Sequence, residues 1–187
     1  MKILFITAEQ PEAEACLRAC RETGTDARVV FSGMGAAATE SKMDEMFASG
    51  DKYDYVIDAG IAGAFDGSPA GAAFNVIEER HWEAPDMILV GAKPLFGWLP
   101  VAGGLTVQTM TEDEGEVERR KALGAQVESM EGASFFQMCH KYGVDDFAEL
   151  RTISNAVGDS DRSRWDMSAG LEAIYVNCRR FLEELKK

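Results

Sequence analysis

Short apolar runs separated by helix-like segments set the strongest limit on how this chain can fold. Residues 3–7 read Ile-Leu-Phe-Ile-Thr, residues 27–31 Ala-Arg-Val-Val-Phe and residues 55–59 Tyr-Val-Ile-Asp-Ala. Each has the length and composition of a strand covered on both faces. Residues 11–21, rich in Ala, Glu and Leu with Pro11 in the first turn, predict a helix between the first two runs. Residues 36–48 predict a second, entered through Gly33-Met34-Gly35. Strands alternating with helices predict an α/β layer fold around a largely parallel sheet. Further strands are expected at 73–77, 87–90, 105–110 and 147–154, and helices at 130–142 and 165–185. The third run is expected to end in a glycine-rich turn, Gly60-Ile61-Ala62-Gly63.

The length of 187 residues predicts a single domain, and the net charge of −13 restricts its partners. A surface this acidic repels phosphates, and no Lys/Arg-rich run offers a local exception, so neither nucleic acid nor an anionic membrane is an expected partner. Residues 87–105 carry one charge, Lys93, but Pro94, Pro100 and four glycines would break a spanning helix repeatedly. They read instead as a short strand and an apolar loop. The N-terminal apolar run is too short for a signal peptide. Cys16, Cys20, Cys139 and Cys178 form no C-x-x-C pair, and only two histidines accompany them. Cys16 and Cys20, four residues apart on a helix, suit two reduced, half-buried thiols, and no metal, no cofactor and a cytoplasmic location follow as expectations.

Ligands of open α/β sheets bind beyond the carboxyl ends of the strands. Residues 8–12, 33–35, 60–63 and 155–159 lie at such ends, and residues 129–132 open a helix. Gly33-Met34-Gly35-Ala36 echoes a dinucleotide turn, but it follows the second strand and lacks a clear ribose-binding acid, so a plain tight turn is the better reading. No G-x-S-x-G elbow or P-loop lysine is present. Glu12 and Glu131 stand out by position. Glu12 follows the first strand, and Glu131 sits among Met130 and small residues, a setting in which a half-buried carboxylate needs a partner such as a sugar hydroxyl.

Three strings then carry a resemblance: Gly60-Ile61-Ala62-Gly63-Ala64-Phe65, Ser129-Met130-Glu131-Gly132-Ala133, and a run from Ile153-Ser154-Asn155 through Val157-Gly158 to Asp161-Arg162 and Trp165. They resemble the purine nucleoside phosphorylase/nucleosidase superfamily, and within it look most like the futalosine hydrolase family, which serves an alternative route to menaquinone. The resemblance implies a three-layer αβα sandwich around a twisted mixed sheet, assembled as a homodimer or larger homo-oligomer. It implies hydrolysis of the N-glycosidic bond of a 6-oxopurine nucleoside, with a small-molecule nucleoside as partner. Glu12 would activate the attacking water. Met130 and Glu131 would hold the ribose, with Gly60, Ile61 and Ala62 beside it, and Asn155 would face N7 and the 6-substituent of the purine. Related phosphorylases place an arginine and a hydroxyl where this chain has Asp58 and Ile61, so water is the expected nucleophile. A methylthioadenosine-type nucleosidase and a non-catalytic nucleoside-binding protein are the alternatives. The chain is shorter than typical members, and the deficit is expected between about 67 and 105. Trp82, Phe96 and Trp98 are each equally open to stacking on a base or to a place in the core.

Overall fold

The computed structural model describes residues 1–48 and 50–187. The chain runs β1 (Ile3–Thr7), α1 (Gln10–Thr23), β2 (Arg28–Phe31), α2 (Ala36–Phe47), β3 (Tyr55–Ala64), β4 (Ala73–His81), β5 (Ala84–Val90), β6 (Val101–Thr106), α3 (Glu114–Lys121), β7 (Val127–Ser129), α4 (Gly132–Tyr142), β8 (Phe147–Ala156) and α5 (Met167–Glu184), with a short 3-10 turn at Arg162–Arg164. All eight strands form one sheet, with helices on both faces, as the mixed α/β class requires.

Burial along β1 shows why. Ile3 and Phe5 point to one face, where α1 and α5 supply Cys16, Ala19, Ile174 and Phe181. Leu4 and Ile6 point to the other, where α2 and α4 supply Met43, Met46, Phe135 and Cys139. Side chains alternate across a strand, so a continuous apolar run feeds both layers. All four cysteines are free and buried, Cys16 and Cys20 deeper than the half-burial expected of them, and Cys16 and Cys178 join α1 to α5 with sulfurs 3.9 Å apart.

The sheet is mixed rather than largely parallel. β1 pairs in parallel with β2 and β3, and β3 with β8, but β3–β7, β4–β5 and β4–β8 are antiparallel. The strand order is β2-β1-β3-β7-β6-β4-β5, and β8 bridges β3 and β4. Five strands, β3-β7-β6-β4-β8, therefore close into a ring, so the sheet is open at one end and curled at the other.

The glycine-rich segment is strand, not turn: β3 runs through Gly60 and Gly63 to Ala64. Neither glycine has a positive φ. They supply space instead. A Cβ on Gly60 would collide with the Arg151 guanidinium, and one on Gly63 would come within 3.0 Å of the Val157 side chain. The strand expected at 105–110 lies at Val101–Thr106, displacing the apolar loop to residues 91–100. Helix α3 and strand β7 carry no apolar periodicity long enough to be read in advance. Phe96 is wholly buried in the core and Trp98 packs at its edge, donating from Nε1 to Asn177 Oδ1 at 2.8 Å. Trp82 packs beside Phe65 and Leu105 near the Arg120 guanidinium. None of the three lines the cleft described below.

Candidate active site

The carboxyl ends of β1, β3 and β8, the start of α4 and the turn before α2 surround one cleft. Its empty space, mouth included, is about 690 Å³. Glu12, Ile61, Ala62, Met130, Glu131 and Asn155 all line it. Residues far apart in sequence therefore meet on one surface. Gly60 is the exception among the expected site residues: it sits behind the wall, where Arg151 passes.

Glu12 is 2% exposed and its carboxylate is held by three backbone N–H groups. Oε2 accepts from Ala8 at 3.0 Å and Glu9 at 2.8 Å, and Oε1 accepts from Ile61 at 2.9 Å. The Glu9 bond is half of a capping box at the start of α1, a purely local device. The Ile61 bond reaches across to β3 and fixes the carboxylate against the cleft. Burial pushes the Glu12 pKa up to about 6, against the lowering effect of the backbone donors. A carboxylate with that value is ionised at neutral pH yet basic enough to take a proton from water.

Glu131 is also buried. Its Oε1 accepts from Gly35 N at 2.8 Å and its Oε2 from Met130 N at 3.2 Å. The Gly33–Gly35 turn thus anchors this carboxylate instead of cradling a dinucleotide, and both glycines adopt φ of 91°, which a side chain would strain. Asn155 is locally satisfied. Nδ2 donates to the carbonyls of Ala156 at 2.9 Å and Asp159 at 3.3 Å, and Oδ1 accepts from Ser154 Oγ at 2.8 Å. Contact with a ligand must exchange some of these bonds.

Behind the wall lies a cluster that the sequence did not reveal. Arg151 is wholly buried and bonds Asp58 through Nη2 and Glu149 through Nε, the latter at 2.6 Å. Glu79 accepts from Thr106 Oγ1 at 2.9 Å. The Glu79 and Glu149 carboxylates converge on the space above Gly132, where a Cβ would collide with both. One oxygen of each has no hydrogen-bond partner, nor does Arg151 Nη1. Burial raises the pKa of both glutamates, and for Glu79 the facing Glu149 charge adds to it. Both effects favour the protonated form within this pair. Burial works against the Arg151 charge, but the Asp58 and Glu149 carboxylates outweigh it and raise its pKa. Asp58 is therefore neutralised in the interior and does not face the cleft, so it exerts no direct repulsion on an incoming anion. Ile61 does line the cleft and removes a donor there. Thr106 continues the network by accepting from Ala133 N at 2.8 Å, which ties the cluster to the first turn of α4 beside Glu131.

Comparison with known proteins gives the family and the fold. The Phosphorylase superfamily profile matches residues 100–185. Futalosine hydrolase of Thermus thermophilus is 32% identical over 153 residues, covering 67% of this chain and 68% of that protein. This chain belongs to the futalosine hydrolase family. The Streptomyces coelicolor futalosine hydrolase is 26% identical over 223 aligned positions, covering 93% of this chain and 92% of the relative. Among solved structures, futalosine hydrolase of Helicobacter pylori shares the fold with a TM-score of 0.79 at 17% identity, over 100% of this chain and 97% of that one. The methylthioadenosine/S-adenosylhomocysteine nucleosidase of Campylobacter jejuni does so with a TM-score of 0.81 at 16% identity, over 100% and 99%.

No group of described residues could hold a metal ion, and no described helix is long and apolar enough to cross a membrane.

Proposed function

We propose that this family member hydrolyses the N-glycosidic bond of a 6-oxopurine nucleoside, futalosine, releasing hypoxanthine. One observation carries the reading: two buried carboxylates from distant parts of the chain, Glu12 and Glu131, line one cleft, and Glu12 has a pKa of about 6. Cleavage builds positive charge on the sugar, and a fixed carboxylate near the anomeric carbon both stabilises that charge and takes the proton of the attacking water. Glu12 has that role. Glu131, with Met130 beside it, receives hydrogen bonds from the ribose hydroxyls and positions the ring, with Ile61 and Ala62 as neighbouring wall. Gly60 contributes by leaving room for Arg151.

Asn155 sets the base preference. Its amide oxygen accepts from a protonated N7 and its NH₂ donates to a 6-oxo group, whereas a 6-amino group would meet NH₂ with NH₂. Ile61 offers a phosphate no hydroxyl, which favours water as the nucleophile. The protein works as a cytoplasmic homo-oligomer without a cofactor. Its 187 residues form one domain, shortened between about 67 and 105. The 223 positions aligned with the Streptomyces relative exceed the chain's own length, in keeping with such a deficit.

The deciding assay incubates the protein with futalosine, inosine and methylthioadenosine, with and without phosphate, and measures the free base. Hypoxanthine release from futalosine without phosphate acceleration is expected. Ribose 1-phosphate-type products would overturn the hydrolase reading. Asn155→Asp should shift kcat/KM toward 6-amino substrates by about tenfold or more; equal wild-type rates on 6-oxo and 6-amino nucleosides would refute the role given to Asn155.

A further inference from the structure

Arg162 and Trp165 of the third motif have no part in the ribose and base contacts, yet both line the cleft. The wall is otherwise acidic. Glu9, Glu12, Glu128, Glu131 and Asp159 line it, and Arg162 is the one cation among its described lining residues. An acidic mouth in a chain of net charge −13 repels any anionic substrate unless that cation receives it.

The position of Arg162 is tied to both sides of the sugar site. Nη2 donates to Glu9 Oε2 at 2.7 Å and Nη1 to Glu9 Oε1 at 3.3 Å. Glu9 lies three residues before Glu12 at the start of α1. Nη1 also lies 3.9 Å from the Met34 sulfur, and Met34 precedes Gly35, whose N–H holds Glu131. The guanidinium carbon stands 5.4 Å from the centre of the Trp165 ring. The Arg162 side chain remains 43% exposed, and Met34 and Met110 at the same mouth are 57% and 40% exposed. Glu9 takes the Nη1–Nη2 edge of the guanidinium. The Nε–Nη2 edge has no protein acceptor among the described residues, and it has the fork geometry that a second carboxylate fits bidentately.

We propose that Arg162 is a specificity-determining residue that receives a carboxylate at the end of an apolar 5′ arm of the nucleoside, with Met34, Met110 and Trp165 covering the arm. The inference rests on the nucleosidase reading above and deepens it. A nucleoside held at its base by Asn155 and at its ribose hydroxyls by Glu131 has one branch left, C5′, to occupy the mouth. Flexible thioethers and an indole face suit a flat aryl group. Futalosine has such an arm, ending in a benzoate, whereas inosine and methylthioadenosine carry no charge there.

The test compares futalosine with its carboxamide on wild-type protein, Arg162→Gln and Arg162→Lys, with melting temperatures recorded for each. Wild type should favour the acid by about tenfold or more in kcat/KM. Arg162→Gln should reduce that preference to within about twofold, and Arg162→Lys should retain part of it, since a point charge replaces the fork. Raised salt should weaken the wild-type preference. Cleavage of both compounds with an acid preference that survives Arg162→Gln, or with no preference in the wild type, overturns the role of Arg162 and leaves the nucleosidase reading standing. Cleavage of neither compound overturns both.

Discussion

Glu12 and Glu131 on the cleft wall, and Glu79 and Glu149 behind it, are all buried, yet they are held in opposite ways. The first two accept hydrogen bonds from backbone N–H groups: Ala8, Glu9 and Ile61 for Glu12, Gly35 and Met130 for Glu131. Those donors are fixed by the chain itself and, at Glu12, work against the effect of burial. The second pair lean on one arginine, one threonine and each other, and leave an oxygen apiece without a partner. Backbone donors aim a carboxylate; burial and crowding in a side-chain cluster raise the pKa of its members. The wall pair is thus suited to act on a substrate, and the rear pair to hold Arg151 and the start of α4 in place.

The largest effect expected from breaking this contrast is at Glu12. Glu12→Gln should lower kcat by about 10²–10⁴-fold, the usual worth of a general base, with a smaller change in KM. Steady-state kinetics on folded mutant protein decide it, and a change confined to KM would make Glu12 a binding residue. In the wild type, kcat/KM should fall as pH drops through about 6, because protonation of Glu12 removes the base. An acidic limb that persists in Glu12→Gln would have to come from another group.

Removing the rear cation comes next. Arg151→Met leaves Asp58 and Glu149 buried without their counter-charge, and the loss should be about 3–5 kcal/mol of stability, read by denaturant unfolding. A variant as stable as wild type would mean the cluster rearranges by taking up protons at no cost.

Glu131→Gln should cost about 1.5–3 kcal/mol in transition-state stabilisation, read as kcat/KM, because a charge-assisted bond to a sugar hydroxyl is lost. Wild-type turnover in the folded mutant would remove Glu131 from the site.

The smallest effect distinguishes the rear pair. Glu79→Gln mimics the protonated form and should change stability by less than about 1.5 kcal/mol at low pH, where the native pair already holds its proton. The sign follows from the raised folded-state values. The folded protein keeps protons that the unfolded chain releases above 4.5, so this contribution is full below that value and declines as pH rises. Glu79→Gln should flatten that decline, which stability measured from pH 4 to 8 would show. An unchanged slope would mean that the proton is held elsewhere.

How much of this could be read in advance depended on the range of the interactions involved. The buried strands β1 and β3 and the helices α1, α2, α4 and α5 were legible because a run of apolar residues or a helical period is a local property of the chain. The motifs around Glu131 and Asn155 were legible as strings for the same reason, and Glu12 stood out by its place after the first strand. The glycines of β3 were misread as a turn because Gly60 makes room for a guanidinium 91 residues away, and no neighbouring residue signals that need. Glu79, Glu149 and Arg151 look like ordinary strand residues with polar side chains. Only the closure of β3, β4 and β8 into one ring buries them together.

Sequence alone determined the alternation of strands and helices apart from α3 and β7, the acidic charge that limits partners, and the kinds of side chain available for chemistry. Tertiary structure decided which of those side chains meet. It brought Ile61 N to Glu12 and Gly35 N to Glu131, enclosed Asp58 with Arg151, and set Arg162 against Glu9 at the mouth. The reason is physical: burial and a hydrogen bond between distant strands change what a carboxylate can do, and neither exists until the sheet has closed around it.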